Sequence, residues 1–135
     1  QVDDVYYWPL SDQASNLAFV KSAVARLRAR GVRPGIYTAG RYWEAITGGK
    51  DNCGSDVLLW YWEVWGAGAD NETPPNFDGF VPFSGWTKPT IKQFGMLETI
   101  CGAKEIGRNA YLISSSKKAP VRTLRSSPVV GGIGL

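Results

Sequence analysis

At 135 residues, with 44% hydrophobic and 20% charged side chains, the chain is long enough for one globular domain with its own core. It holds no apolar run of about 18 residues, the length a membrane-crossing helix requires. The net charge of +3 is uneven: residues 1–113 carry 11 Lys/Arg against 12 Asp/Glu, while residues 114–135 carry Lys117, Lys118, Arg122 and Arg125 and no acid. Neither nucleic acid nor a membrane is therefore expected as a partner of the domain.

In chain order, Val2 to Trp8 reads as a strand ended by Pro9. Ser11 or Asp12 can cap a following helix, in which Leu17, Val20, Val24 and Leu27 recur at spacings of three and four and share one face. Gly31 supplies its stop. Val32 to Ala39 reads as a second strand, and Arg41 to Thr47 as a short helix turning Tyr42, Trp43 and Ile46 inward. Residues 57–65, VLLWYWEVW, form the longest apolar run; short, aromatic and bounded by turn residues, it reads as a buried strand carrying one acid, Glu63. Side chains of a strand alternate, so only half of this run can face a site, and which half is open. The bland reading of Glu63 is a core strand whose last residues meet solvent.

Gly66 to Pro75 is a Gly/Asp/Asn/Pro loop at the far end of that strand. Phe77 to Phe83 is apolar without a clear period. Thr90 to Phe94 reads as a strand, and Leu97 to Cys101 with Lys104 to Ile113 as an antiparallel pair or a final strand. From Ser114 the Ser/Pro/Gly-rich basic composition predicts a disordered tail, giving a domain over 1–113 and a tail over 114–135.

Two cysteines and no histidine make a zinc site unexpected, and no cofactor motif is present. Cys53 and Cys101 lie in glycine-flanked turns; a single disulfide is the favoured reading, two free thiols the alternative. Asn71-Glu72-Thr73 matches the glycosylation sequon, weakened by Pro74 directly after it. The opening Gln1-Val2-Asp3-Asp4 reads like the middle of a strand, as in a segment of a longer chain.

Strands alternating with helices predict a parallel α/β sheet, whose functional residues gather at the C-terminal strand ends. Those ends supply Asp3 with Tyr7 and Trp8, Tyr37 with Thr38, Trp62 with Glu63, then Gln93, then Arg108 with Asn109. Aromatics, carboxylates and amides without a phosphate-binding glycine loop suit a sugar, whose C–H faces lie on rings and whose hydroxyls pair with acids and amides.

The same residues carry a resemblance. Val2-Asp3 followed by Tyr7-Trp8 and Asn16, Gly35-Ile36-Tyr37-Thr38, Trp43 with Ile46 and Gly48, Leu59-Trp60-Tyr61, Trp86 with Pro89, Ile91-Lys92-Gln93-Phe94, Ile100-Cys101-Gly102 and Arg108-Asn109 follow in the order and spacing of glycoside hydrolase family 25. Residues 1–113 thus resemble the muramidase-type lysozymes, particularly their nematode-like branch. The resemblance implies a TIM-type (β/α) barrel that cleaves the β-1,4 linkage beside N-acetylmuramic acid in peptidoglycan. It also implies a secreted or vesicular/lysosomal location, and that this chain covers about strands four to eight of a barrel that needs roughly 200 or more residues. The substrate-binding candidates are Tyr7, Trp8, Tyr37, Trp60, Tyr61, Trp62, Gln93 and Asn109.

The catalytic candidates are Asp3 and Glu63, and here the sequence departs from the family. The family carries Asp-x-Glu at the end of its fourth strand, its glutamate being the main catalytic acid; Gln1 and Asp3 stand at those places. The family's aspartate in the last strand is replaced by Gly107. Glycoside cleavage needs a protonated acid at the leaving oxygen and a second carboxylate for the oxocarbenium-like transition state. Shortening the acid by one methylene displaces it by about 1 Å, which can cost on the order of 100-fold in rate. The sequence therefore supports a hydrolase, a silent sugar-binding relative, or a truncated product with an exposed sheet edge. It leaves the oligomeric state open.

Overall fold

A computed structural model describes residues 1–111; the expected tail 114–135 and the last two residues of the final expected strand lie outside them. Two helices and four strands form a mixed α/β unit: α1 (Gln13–Ala29), β1 (Gly35–Thr38), α2 (Gly40–Thr47), β2 (Leu58–Trp62), β3 (Ile91–Ile100) and β4 (Ala103–Tyr111). The sheet order is β1-β2-β3-β4. β1–β2 and β2–β3 pair parallel, and β3–β4 is an antiparallel hairpin.

Local chemistry sets the helix ends. The Asp12 carboxylate accepts the Ser15 N–H at 3.0 Å and caps α1. Gly31, with φ +71°, takes the left-handed conformation that ends it. Val20 and Val24 are buried and Leu17 half-buried, but Leu27 is 38% exposed, so the apolar face closes before the last turn. The Asn16 amide donates to Pro9 O at 3.1 Å and Ile46 O at 2.9 Å, tying α1 to the end of α2.

Beneath the helices Ile36, Leu59 and Tyr61 form a core with Val20, Val24, Trp43, Ile46 and Trp86. Its two buried indoles are satisfied: Trp43 Nε1 donates to Asp51 O at 3.1 Å and Trp86 Nε1 to Val57 O at 2.9 Å. The segment of unassigned type, 77–83, is irregular. It lays Phe77 and Phe80 against Tyr61, and Phe83 against Trp86, closing the lower part of this face.

Three expectations are corrected. Val2 to Trp8 is not a strand: Val2 N–H bonds Tyr37 O at 2.9 Å beside β1, and the chain then curls into a 3-10 turn, Val5–Tyr7. The Asp4 carboxylate, accepting the Tyr6 N–H at 2.9 Å, stabilises that turn over continued pairing. The strands expected at 90–94 and 97–101 are one strand, β3. The break at Gly95-Met96 is absorbed by register shifts against β4, with Leu97 at φ +52°. Cys53 and Cys101 are not disulfide-bonded: Cys53 is buried in the helix-side core, and Cys101 is exposed at the turn between β3 and β4.

Two outcomes follow. One thiol, Cys101, reacts rapidly with a thiol reagent in the native protein. Cys53, whose burial raises its pKa, reacts only on unfolding; equal rates for both contradict the structure. Asn16→Ala leaves the Pro9 and Ile46 carbonyls without their donor and lowers unfolding free energy by about 1–3 kcal/mol in urea titrations.

Candidate functional site

The alternation of β1 and β2 divides their side chains. Ile36, Thr38, Leu59 and Tyr61 are buried on the helix side, which leaves Tyr37, Trp60 and Trp62 for the opposite face. The parallel register sets Tyr37 beside Trp60 and Trp62 beside Gln93, and the hairpin sets Gln93 beside Asn109. The Tyr37 and Trp60 rings meet edge to face at 5.2 Å. Tyr37 Oη donates to Gln93 Oε1 at 2.6 Å, and Trp60 Nε1 donates to Asn109 Oδ1 at 2.9 Å. Tyr37, Trp60, Gln93 and Asn109 thus form one connected layer of rings and amides across four strands. A cavity of about 550 Å³ runs along it, from Gly35 and Leu58 at the strand starts to Gln93, and includes Gln1 and Gly107. A second cavity, of about 460 Å³, opens near the start of α1 around Asp12, Lys21 and Gly48 and has no aromatic lining.

Asp3 adjoins this layer because Val2 is bonded to Tyr37 at the C-terminal end of β1. Burial raises the Asp3 pKa, reinforced by Asp4. The Tyr37 hydroxyl is also raised, by its own burial first and by the Asp3 charge second, so it remains a neutral donor. Gly107 faces Gln93: a Cβ added there falls 2.7 Å from Gln93 Nε2. The position at which the sequence lacks an expected carboxylate therefore lies on this face, with the Gln93 amide occupying the space.

Other candidates lie outside that layer. Trp62 stands at the end of β2 against Tyr42, ring centroids 5.6 Å apart, with the Arg41 guanidinium 5.2 Å from its centroid. Tyr61 belongs to the helix-side core, where burial and then the Glu63 charge push its pKa up to about 12. Glu63 continues that face and pairs with Lys92 at 2.8 Å. Lys92 is fully buried and also donates to Pro74 O at 3.1 Å. Glu63 is thus engaged with Lys92 rather than with the Tyr37–Gln93 layer. Tyr7 projects into solvent from its turn, and Trp8 packs edge-on against Phe19 of α1 at 6.0 Å. Among the described residues no three His, Cys, Asp or Glu side chains converge to hold a metal ion.

Sequence reasoning missed the Lys92–Glu63 pair and a carboxylate pair at the same end of the sheet. The signal for the first was present: a lone cation and a lone acid near the ends of adjacent apolar strands need each other once buried. For the second, Glu98 is buried with Oε1 unpartnered, while its carboxyl group meets Glu72, which is held by Arg108. Gly95 makes the approach possible, since a Cβ there would collide with Glu98 Oε1. Only the hairpin register reveals it.

Burial first, then the Glu72 contact, raises the Glu98 pKa. A raised carboxyl pKa contributes stability that is complete below the unfolded value near 4.5 and is lost as pH rises toward the folded value. Asp51 and Asp56, lowered by Lys21 and Arg28, act oppositely, losing their contribution as pH falls. Glu98→Gln is therefore expected to gain stability relative to the parent as pH rises above the carboxyl range, measured as urea midpoints from pH 4 to 8. A pH-independent difference contradicts the raised pKa of Glu98. Glu63→Gln, which leaves the buried Lys92 ammonium facing a neutral amide instead of a carboxylate, is expected to cost about 1–3 kcal/mol in the same assay.

The "Lysozyme-like protein 1" family model matches residues 1–94. Among curated relatives, "Lysozyme-like protein 7" of Caenorhabditis elegans is 44% identical over 119 residues, covering 88% of this chain and 41% of the relative. "Lysozyme-like protein 2" of the same organism is 35% identical, covering 98% and 48%. "Probable GH family 25 lysozyme 2" of Dictyostelium discoideum is 38% identical over 101 residues, covering 75% and 43%. The chain spans less than half the length of these relatives. No solved structure matches it significantly. The chain belongs to the lysozyme-like, glycoside hydrolase family 25 group of proteins.

Proposed function

We propose that this chain supplies one side of a lysozyme barrel, about strands four to eight, and that the Tyr37–Trp60–Gln93–Asn109 face lines the groove for the glycan of bacterial peptidoglycan. The observation that carries the reading is that connected layer, adjoined by Asp3, on the sheet face the helices leave uncovered. Rings offer stacking surface to the sugar's C–H faces, and amides fix its hydroxyls. Strands from the rest of a longer protein would close the barrel over this face. Acting on bacterial walls implies a secreted or vesicular/lysosomal setting.

In this reading Asp3 is the proton donor to the leaving glycosidic oxygen. Its raised pKa is the property a general acid needs, because the carboxyl must still hold its proton when the bond breaks. Gln93, aligned by Tyr37, holds a hydroxyl of the bound sugar. Glu63, the other catalytic candidate, is engaged by Lys92 and would have to leave that pair to serve.

The alternative, a relative that binds without cleaving, draws on one specific observation: position 107 faces Gln93 but carries no side chain. Without a second carboxylate there, the developing cation is less stabilised.

Sedimentation with insoluble peptidoglycan and wall-clearing turbidity, on this chain and on a longer version, separate the two. Trp60→Ala is expected to weaken binding about 3- to 10-fold, the worth of one stacked ring. Asp3→Asn in an active longer protein is expected to abolish clearing while leaving sedimentation unchanged. Binding without clearing that Gly107→Asp converts to clearing establishes the silent reading. Absence of binding by both chains rejects the saccharide site.

A further inference from the structure

We propose that Arg41, whose guanidinium lies over the Tyr42 and Trp62 rings, forms a subsite for a carboxylate carried by the saccharide polymer, so that the face prefers an acidic glycan over a neutral one. The inference rests on the saccharide reading of the Tyr37–Trp60 face and adds to it a charge requirement at one end. The guanidinium carbon lies 4.8 Å from the Tyr42 ring centroid and 5.2 Å from that of Trp62, and the two rings are themselves 5.6 Å apart. Arg41 is solvent-exposed in the first turn of α2, which begins two residues after β1 ends. Trp62 closes β2 two residues beyond Trp60, on the same side of the strand. The cluster therefore stands at the C-terminal end of the layer of rings and amides, where an extended ligand leaving Trp60 would pass.

The guanidinium is restrained but chemically unspent. A guanidinium held by cation–π contact keeps N–H donors for a fork-shaped acceptor. One of those donors makes a long contact, 3.5 Å, to Tyr42 Oη. Among the described residues no carboxylate lies within ion-pair distance of Arg41, as is also true of other surface cations such as Arg26 and Lys50; what sets Arg41 apart is its place over two rings. Beside it, Trp62 Nε1 is buried without an acceptor. The planar fork of Arg41 fits a carboxylate bidentately. In peptidoglycan the carboxylates hang from the glycan on short peptides, within reach of a side chain at the groove's end; chitin offers the same amino-sugar backbone without them.

The test is co-sedimentation of the 135-residue chain with teichoic-acid-free peptidoglycan, with the same peptidoglycan after carbodiimide amidation of its carboxylates, and with chitin. Parent, Arg41→Gln and Arg41→Lys proteins are compared, with near-ultraviolet circular dichroism to establish that each is folded. The proposal expects about tenfold weaker binding to native peptidoglycan for Arg41→Gln, partial rescue by Arg41→Lys, and loss of the difference between parent and Arg41→Gln on amidated peptidoglycan and chitin. It also expects the parent's preference for native over amidated peptidoglycan to shrink at high salt. Equal binding by parent and Arg41→Gln to native peptidoglycan overturns the subsite and leaves the saccharide face standing. An equal loss on all three polymers overturns the charge requirement in favour of a ring-positioning role. Failure of both this chain and its longer version to bind any polymer overturns the underlying saccharide reading and the subsite with it.

Discussion

The two-residue period of β2 is the constraint on which the rest of the molecule depends. Leu59 and Tyr61 must enter the core under α1 and α2, so Trp60 and Trp62 must leave it. A shift of one residue would drive two indoles into the helix-side core and expose the residues that hold the helices. Parallel pairing on both sides carries this choice to the neighbours, placing Tyr37 beside Trp60 and Gln93 beside Trp62. The ring-and-amide face is thus a consequence of core packing. The hydrogen bonds from Tyr37 to Gln93 and from Trp60 to Asn109 then lock rotamers that packing alone would leave loose.

The same alternation accounts for the electrostatics. Lys92 and Glu63 sit in the phase of Tyr61, so the strand ends carry a buried cation that needs an acid, and Glu63 is engaged there. Thr73 bonds Glu63 O at 2.6 Å and Phe94 O at 3.0 Å through its hydroxyl and its N–H, drawing the 66–75 loop onto the ends of β2 and β3. The loop brings Glu72 to Arg108 and Glu98. Charges on this side fasten the loop, whereas Asp3 on the other side is only partly buried and adjoins the cavity-lining layer. Fold and candidate chemistry are therefore separated by one residue step along each strand.

Much of this was legible in the sequence where one element decides its own structure. The helix spacing of Val20 and Val24, the Asp12 cap and the Gly31 stop depend on nearest neighbours and are read directly. The helix-strand-helix-strand order from α1 to β2, and the identities Tyr37, Trp60, Gln93 and Asn109, follow from pattern and resemblance. What was not legible depends on partners distant in sequence. Which half of Trp60 to Glu63 faces the helices is settled only when Phe77, Phe80 and Lys92 arrive from later in the chain. The end of the expected first strand at Val2 reflects the Asp4 turn winning over further pairing with β1. The joining of two expected strands into β3 reflects a bulge at Gly95 that reads, in sequence, as a break. The disulfide expectation failed because glycine-flanked turns say nothing about distance: one thiol is in the core and the other at a hairpin tip.

The ring-and-amide face serves a saccharide only if its tryptophans, not those of the core, meet the ligand. The chain has six, each with its own indole N–H resonance. Titrating isotope-labelled protein with soluble peptidoglycan fragments while following those resonances tests the claim directly. The account predicts that Trp60 and Trp62 shift while Trp43 and Trp86, whose N–H groups are committed to core carbonyls, stay fixed. Shifts at Trp43 and Trp86 with Trp60 unmoved, or no shift at any indole, would contradict it.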